Sequence, residues 1–182
     1  MDIINKIKFS FKDQEELFKL VKNENIKQSV YFFLTLLLPN LALTIILGGS
    51  YISEEFMLAF SIGIGEIIVW TSLMTIFSII GFLIYSSLIY GFSKIVKGKG
   101  TFKDSAKLII YSLTPYLLIS WIPISSIAKT MISLAALFFF IKINVEGAKS
   151  LMKLSKGRSI ALTTFHYLLI LLLTVVPKLV LG

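Results

Sequence analysis

Few side chains in this sequence have the type and spacing that chemistry requires, and the single histidine is the first candidate. His166 lies inside an apolar segment, where an ionisable residue is a functional candidate by default. It lacks the second ligand or the acid partner that metal binding or catalysis needs, which favours a neutral histidine hydrogen-bonded between helices. The acids nearest the apolar segments, Glu66 and Glu146, lie at opposite borders, so the sequence offers no acid pair for a proton or cation relay.

Familiar catalytic patterns are incomplete or missing. Residues 98–101 read Gly-Lys-Gly-Thr, but a phosphate-binding loop needs a glycine five positions before its Gly-Lys pair, and Ser93 stands there. The metalloprotease pattern H-E-x-x-H and the nucleophile pattern G-x-S-x-G are absent, as is cysteine. We therefore expect a protein without enzyme activity, bound metal or cofactor.

The elements that would position these residues are apolar helices long enough to cross a membrane. Of the 182 residues, 56% are hydrophobic and 15% are charged, whereas soluble domains are about a quarter charged. The apolar residues cluster into runs of about 20, the length that crosses a hydrocarbon core of about 30 Å. The composition predicts an all-α, polytopic membrane helix bundle with five transmembrane helices, whose spans lie near residues 29–47, 67–90, 104–121, 126–143 and 160–179.

Spans three and four are the pair whose crossing is open to two interpretations. Only a turn at Pro123 separates them, and the apolar stretch they share is short for two full crossings. Lysines at the ends of this stretch could snorkel to the surface and lengthen both helices. A re-entrant hairpin is the alternative, and both ends of the pair lie on the same side in either case.

Residues 1–28 form a mostly polar segment ahead of the five-helix transmembrane domain at 29–182. Ser10 or Asp13 is placed to cap a helix whose apolar residues, Leu17 and Val21 among them, share one face. Such a segment is either a solvated lead-in or an amphipathic helix on the membrane surface, and both alternatives stay open. Its many lysines argue against a cleaved secretory signal.

Basic residues are confined almost entirely to three segments. All but two of the 18 lie before span one or within and immediately beside the two connections between spans two and three and between spans four and five. The loop after span one has none and carries Glu54 and Glu55. The positive-inside rule then places the N-terminus in the cytosol and the C-terminus outside. Nucleic acid is not an expected partner, because no separate basic domain is present. Seven basic residues of the cytosolic loops are candidates for contact with anionic lipid headgroups: Lys94, Lys97, Lys99, Lys103, Lys153, Lys156 and Arg158.

Polar and small residues inside the predicted spans are candidates for helix packing. Asn40 follows Pro39 in the middle of span one and needs a partner inside the protein, because lipid offers none. Thr163 and Tyr167 share the broad face of span five that carries His166. Span two has a stripe of small or polar residues that favours close helix packing, with a groove for lipid or a solute as the alternative. The stripe consists of Thr71, Thr75, Ser78, Gly81 and Tyr85.

A pattern of seven residues extends from the loop before span three into that span. Its members are Gly98, Gly100, Thr101, Phe102, Tyr111, Ser112 and Pro115. Together with five predicted spans and a cytosolic N-terminus, it resembles the Yip-domain family of small, usually five-span membrane proteins. Eukaryotic members act in vesicle trafficking and bind Rab-type GTPases or shape membranes, while prokaryotic members have no assigned activity. The acidic Asp-Leu-x-Gly-Pro motif of the eukaryotic members is missing here.

The resemblance implies a non-enzymatic membrane organiser, scaffold or trafficking-related factor that acts through helix, lipid and partner contacts. The Lys- and Ile-rich composition favours a prokaryotic source and hence the cell membrane, with lipid, other membrane proteins or further copies of the chain as partners. A small transporter or channel is the alternative, motivated by Asn40, His166 and the stripe on span two. An Oxa-type insertase is a third, although the only arginine, Arg158, is expected at the cytosolic border rather than inside a membrane groove.

Overall fold

The computed structural model describes residues 2–48, 64–120 and 126–181, and within these ranges every regular element is a helix. This confirms the predicted all-α bundle. The predicted turn at Pro123 and the acids Glu54 and Glu55 lie outside the described residues. The helices are α1 (Ile3–Lys12), α2 (Gln14–Lys22), α3 (Ile26–Gly48), α4 (Ile64–Ile95), α5 (Phe102–Ile119), α6 (Ser126–Ser150) and α7 (Lys156–Leu181).

Helices α3 to α7 correspond to the five predicted spans, and their starts differ from the predicted ones by at most about one helical turn. Helix α5 has 18 residues and is more polar at its start than the other four, because its first two turns carry Lys103, Asp104 and Lys107. Three segments in the described part of the chain are long and apolar enough to cross a membrane: Ile26–Leu43, Ile68–Ile95 and Met131–Ser150.

Helix α5 forms the centre of the bundle and packs against α1, α3, α4 and α6. Residues 105–112 are all buried, and Leu108, Ile110 and Tyr111 have no exposed surface. A helix that is buried on every side is expected to be apolar all round, so its polar residues need partners within the protein. For this reason α5 is the element around which the polar contacts of the other helices are arranged.

The N-terminal segment is packed against the bundle and is not a fully solvated lead-in, while its position on the membrane surface stays a prediction. It forms two helices, α1 and α2, which pack against α5 and α6. Asp13 caps α2 by accepting a hydrogen bond from the N–H of Glu16 at 3.0 Å, as predicted. Leu17, Phe18 and Val21 have no exposed surface. A helix too short to cross the membrane can bury its apolar face only against another surface, and here that surface is the bundle itself.

One glycine allows α2 to approach α6 closely. A Cβ atom on Gly147 would lie 2.6 Å from Cζ of Phe18 and would also overlap the side chain of Leu108. The ring of Phe18 therefore occupies the space above Gly147, and the ring of Tyr111 meets it edge-on at a centroid distance of 6.3 Å. This contact fixes the N-terminal helices to the bundle.

Candidate functional site

The glycine-containing loop between α4 and α5 is held against the loop between α6 and α7. The N–H of Lys99 donates to the carbonyl of Met152 at 2.9 Å. A Cβ atom on Gly100 would lie 3.1 Å from the carbonyl oxygen of Leu151 and would collide with the side chain of Met152, while one on Gly98 would lie 2.8 Å from a carbonyl oxygen of α4. Close backbone approach, and not a left-handed backbone, explains glycine at these two positions.

The next two pattern residues start α5. The Thr101 hydroxyl accepts a hydrogen bond from the N–H of Asp104 at 3.4 Å, and the Asp104 carboxylate accepts one from the N–H of Thr101 at 2.7 Å. This reciprocal capping box satisfies backbone donors that a helix start leaves free. The ring of Phe102 meets the ring of Tyr90 edge-on at 6.3 Å. Asp104 was not among the predicted site residues, although a threonine followed three positions later by an acid is a recognisable capping signal.

Tyr111 lies away from this loop, in a buried polar cluster that sequence reasoning missed. Its hydroxyl donates to the carboxylate of Glu24 at 3.2 Å, and Glu24 also forms an ion pair with Lys6. The side chains of Lys6 and Glu24 are 4% and 8% exposed. The ring of Phe32 stacks on Tyr111 at 5.2 Å, and the Lys6 ammonium lies 5.3 Å from the Phe32 centroid. The cluster joins α1, α3, α5 and the segment between α2 and α3.

The remaining two pattern residues support α5 from within. Ser112 is fully buried, and its hydroxyl donates to the carbonyl of Ile109 at 3.1 Å. Pro115 is also buried, and α5 continues past it. The seven pattern residues therefore divide into two groups, with residues 98–102 in the docked loop and residues 111–115 inside the helix.

Lys107 connects α5 to the end of α2. Its ammonium donates to the backbone carbonyls of Val21 at 2.8 Å, Lys22 at 3.0 Å and Glu24 at 2.6 Å. The last turn of a helix leaves its carbonyls without intrahelical partners and carries partial negative charge. Lys107 is only 4% exposed, and these three backbone carbonyls stabilise its ammonium in place of water.

The seven basic candidates are not equivalent. The Lys94 ammonium donates to the carbonyl of Gly100 at 2.7 Å and lies 5.0 Å from the centroid of Tyr90, so it holds the loop. Lys97 and Lys153 have φ values of 63° and 53°, at the turns that follow α4 and α6. The other six candidates are exposed and form no ion pair among the residues that the structure describes: Lys97, Lys99, Lys103, Lys153, Lys156 and Arg158.

His166 is fully buried on α7 and is hydrogen-bonded to α6. Its Nδ1 lies 2.5 Å from Oδ1 of Asn144, whose amide nitrogen donates to the Phe140 carbonyl at 2.9 Å. In this network Nδ1 carries the proton. The Tyr85 hydroxyl of α4 donates to the His166 carbonyl at 3.0 Å, and Nε2 has no hydrogen-bond partner within the described ranges. Sequence reasoning missed Asn144, although an amide inside an apolar run was a visible signal.

Asn40 satisfies the end of α5. Its amide nitrogen donates to the carbonyl of Leu117 at 2.7 Å and to the hydroxyl of Ser120 at 2.6 Å. Leu117 belongs to the last turn of α5, where carbonyls lack intrahelical partners. Both amide hydrogens of Asn40 are therefore used in joining α3 to α5, and α3 continues through Pro39.

The stripe on α4 is only partly a packing face. Thr71, Thr75, Ser78 and Tyr85 are half-buried, whereas a Cβ atom on Gly81 would meet nothing within 4 Å. No other helix in the described part of the chain approaches Gly81 closely, so a packing role for this position stays a prediction. On α7 the buried Thr163 donates to the carbonyl of Ser159 at 2.9 Å, and Tyr167 is half-buried.

The geometry of the described residues bears on metal binding and on contacts with other molecules. Within residues 2–48, 64–120 and 126–181, no group of three or more His, Cys, Asp or Glu side chains is placed to hold a metal ion. The polar clusters instead join helices to each other and loops to loops. What the arrangement offers to the outside is a set of exposed cations at the docked loops.

The chain was also compared with known proteins. The sequence profile of the Yip1 domain matches residues 10–176, which extend from α1 into α7 and include the docked loops and the buried clusters except Lys6. No curated protein and no solved structure matches the chain.

Proposed function

This chain belongs to the Yip1 domain family, and we propose that it is a non-enzymatic organiser or scaffold of the cell membrane. The membership confirms the resemblance drawn from the seven pattern residues. In this proposal the apolar helix surfaces contact lipid and partner helices, and the exposed cations of the docked loops contact anionic headgroups. A prokaryotic source and self-association are parts of the same proposal.

The proposed topology has five crossings, with the N-terminus in the cytosol and the C-terminus outside. It is supported by the contacts that bring the basic segments together. Lys99 is bonded to Met152, and Lys107 is bonded to the end of α2, so the three segments rich in lysine meet at one end of the bundle. Segments that share one side of a membrane would be expected to meet in this way.

The observation that carries the functional proposal is the pair of lysines with left-handed backbones. A glycine is the usual residue at such positions after a helix, and another residue there costs about 1 kcal/mol. Lys97 and Lys153 both have this conformation, one in each docked loop, and both side chains are exposed. A lysine at a strained position favours a role for its charge, and in the proposed topology the cytosolic leaflet would supply anionic headgroups as its partner.

Replacing these two lysines tests the role of the charge separately from folding. The double variant Lys97→Gly/Lys153→Gly should unfold at the same or a higher detergent concentration than the wild type, because it relieves strain. It should also retain about 25-fold less anionic lipid after purification from native membranes, a factor of about five for each of the two lost lysines. Lys8→Gln/Lys12→Gln, which removes two exposed lysines of α1, is the matched control. Undiminished anionic lipid in the first variant would contradict the proposal.

Partner capture tests the organiser role. A photoreactive amino acid at exposed Phe77, Phe138 or Leu172 should crosslink defined membrane proteins or a second copy of the chain in native membranes. If each position yields only lipid adducts, and purification with native lipids gives no stable protein partner, the organiser proposal fails and lipid contact alone remains.

The absence of cysteine makes the topology test direct. Single cysteines at exposed Lys99 and Ser155 should react with an impermeant thiol reagent only after the membrane is opened. One at Ser53, in the segment between α3 and α4, should react in intact cells. Labelling of Lys99→Cys or Ser155→Cys from outside would overturn the orientation.

The alternatives named from sequence have less support. Both amide hydrogens of Asn40 bond α5, so this side chain is not free to line a path. Nδ1 of His166 is bonded to Asn144. Arg158 is exposed in the first turn of α7, which is not the membrane groove that an insertase requires. Flux in reconstituted vesicles that is lost in Asn40→Leu would reinstate the transporter alternative.

A further inference from the structure

A cavity of about 340 Å³ opens between the start of α1 and the start of α3. It lies at the end of the bundle that carries the basic loops, because Glu24 on its wall also offers its carbonyl to Lys107 of α5. The residues of its wall that matter for binding are Asp2, Lys6, Glu24, Lys27, Gln28 and Tyr31.

The charges of the cavity are arranged at two depths. Lys6 and Glu24 form a buried ion pair, so their charges cancel at the base. Asp2, Lys27 and Gln28 are exposed, and the part of the chain that the structure describes offers their side chains no hydrogen bond or ion pair. The cavity therefore has no net charge, yet it presents one free acid, one free base and one free amide.

The hydropathy of α3 predicts that the cavity lies at the level of the membrane surface. Helix α3 is apolar enough to cross a membrane from its first residue, Ile26, and Tyr31 stands one turn further along with 66% of its surface exposed. Tyrosine is enriched where a membrane helix passes from water into lipid. Beyond it, Leu38 on the same helix is 42% exposed. A ligand whose polar part fills the cavity could therefore extend an apolar part along α3.

We propose that this cavity binds the headgroup of a zwitterionic phospholipid. The phosphate takes hydrogen bonds from Lys27 and Gln28, the ammonium lies against Asp2 and the ring of Tyr31, and the acyl chains follow α3. A zwitterion satisfies both free charges, whereas an anionic headgroup would leave Asp2 facing a like charge or no charge. The proposal needs only the membrane location of the helices and does not rest on the organiser role.

The test uses the intact protein and two lipids that differ in headgroup charge. The protein is exchanged into micelles containing equal amounts of phosphatidylethanolamine and phosphatidylglycerol, and the retained lipids are counted by native mass spectrometry. The wild type should retain the ethanolamine lipid in preference. Lys27→Glu and Asp2→Lys should each reduce its retention about tenfold, the equivalent of one charge-assisted hydrogen bond. Lys8→Glu, at an exposed position of α1 outside the cavity, should leave retention unchanged.

A second kind of variant guards against effects of charge alone. Gln28→Trp fills the mouth of the cavity without changing its charge and should reduce retention to the same extent. Equal retention of the two lipids by the wild type, an equal loss in Lys8→Glu, or unchanged retention in Gln28→Trp would overturn the proposal. A preference for phosphatidylglycerol that disappears in Lys27→Glu would also overturn it, in favour of an anionic site. All these variants keep Lys97 and Lys153, so their outcome is separate from the anionic-lipid test.

Discussion

The two halves of α4 have similar apolar sequences, but of the side chains that the structure describes only those on one face of the loop-side half are fully buried. In the half towards residue 64, Ile68, Ile76 and Phe77 are more than half exposed. In the half that leads into the docked loop, Ser86 and Ile89 have no exposed surface. The same division applies to much of the bundle, because α1, α2 and the buried cluster of Lys6, Glu24 and Tyr111 lie at the loop end, whereas Asn40 bonds the opposite end of α5.

This difference separates two sources of stability. At the loop end, apolar side chains are transferred out of lipid or water into a packed protein interior. At the other half of α4, we expect lipid to surround the side chains both before and after folding. Because lipid tails are as apolar as leucine, these side chains add little to the free energy of unfolding. Substitutions at the loop end should therefore change the free energy of unfolding strongly, and substitutions on the exposed half should not.

The most direct test of this difference in stability is to truncate one phenylalanine in each region. Phe18→Ala should lower the free energy of unfolding by about 4 kcal/mol, because it empties a fully buried site. Phe77→Ala, at a ring that is 67% exposed, should change it by less than about 0.5 kcal/mol. Titration of both variants with a denaturing detergent in mixed micelles gives the two values. Equal losses would show that the two halves are packed alike.

The next largest effect is expected at the lysine that caps α2. Lys107→Met should cost about 3 kcal/mol, because three carbonyls lose a charged donor in a buried place. It should also speed the tryptic cleavage of α1 and α2, which Lys107 holds in place. Lys103→Met, an exposed neighbour in the same helix, is the control and should be neutral. Unchanged cleavage in Lys107→Met would mean that packing alone fixes the N-terminal helices.

Two glycines sharpen the comparison further. Gly147→Ala should cost about 2 kcal/mol, because its methyl group overlaps the ring of Phe18. Gly81→Ala meets open space and should instead stabilise α4 by up to about 1 kcal/mol, through helix propensity. The same detergent titration measures both. A loss in Gly81→Ala would reveal a close partner at the exposed half of α4, such as a second copy of the chain.

The smallest effect is expected at the histidine. Asn144→Leu should cost about 1 kcal/mol, the scale of hydrogen bonds between membrane helices. His166→Phe combined with Asn144→Leu should cost less than the sum of the two single changes, because one hydrogen bond is lost in both. A double-mutant cycle in mixed micelles checks this. Strict additivity would show that the His166–Asn144 contact contributes no coupling.

Local signals explain what the sequence predicted correctly. Apolar runs of membrane-spanning length identified α3 to α7, and Asp13 marked the start of α2. The glycine, threonine and phenylalanine of residues 98–102 were recognised as a unit, and the structure brings them into one loop. Each of these features is encoded within a few neighbouring residues, so one sequence is enough to read it.

The contacts that sequence reasoning missed join residues far apart in the chain. Lys6 and Lys107 were counted only among the basic residues of the cytosolic segments, and Glu24 was not singled out, because nothing near them signals a buried partner. The same holds for the docking of α1 and α2, which depends on the missing side chain of Gly147. Hydropathy reports that a face is apolar, but it does not report whether protein or lipid will cover it.

The cap that Lys107 places on α2 also sets an order of events during synthesis. The carbonyl of Val21 accepts a hydrogen bond from a lysine that is synthesised 86 residues later. At ribosomal rates of translation this interval is on the order of ten seconds. Throughout that interval the apolar faces of α1 and α2 have no bundle to rest on. The N-terminal helices are therefore made well before the helices that bury them, and they can dock only after α5 and α6 have emerged.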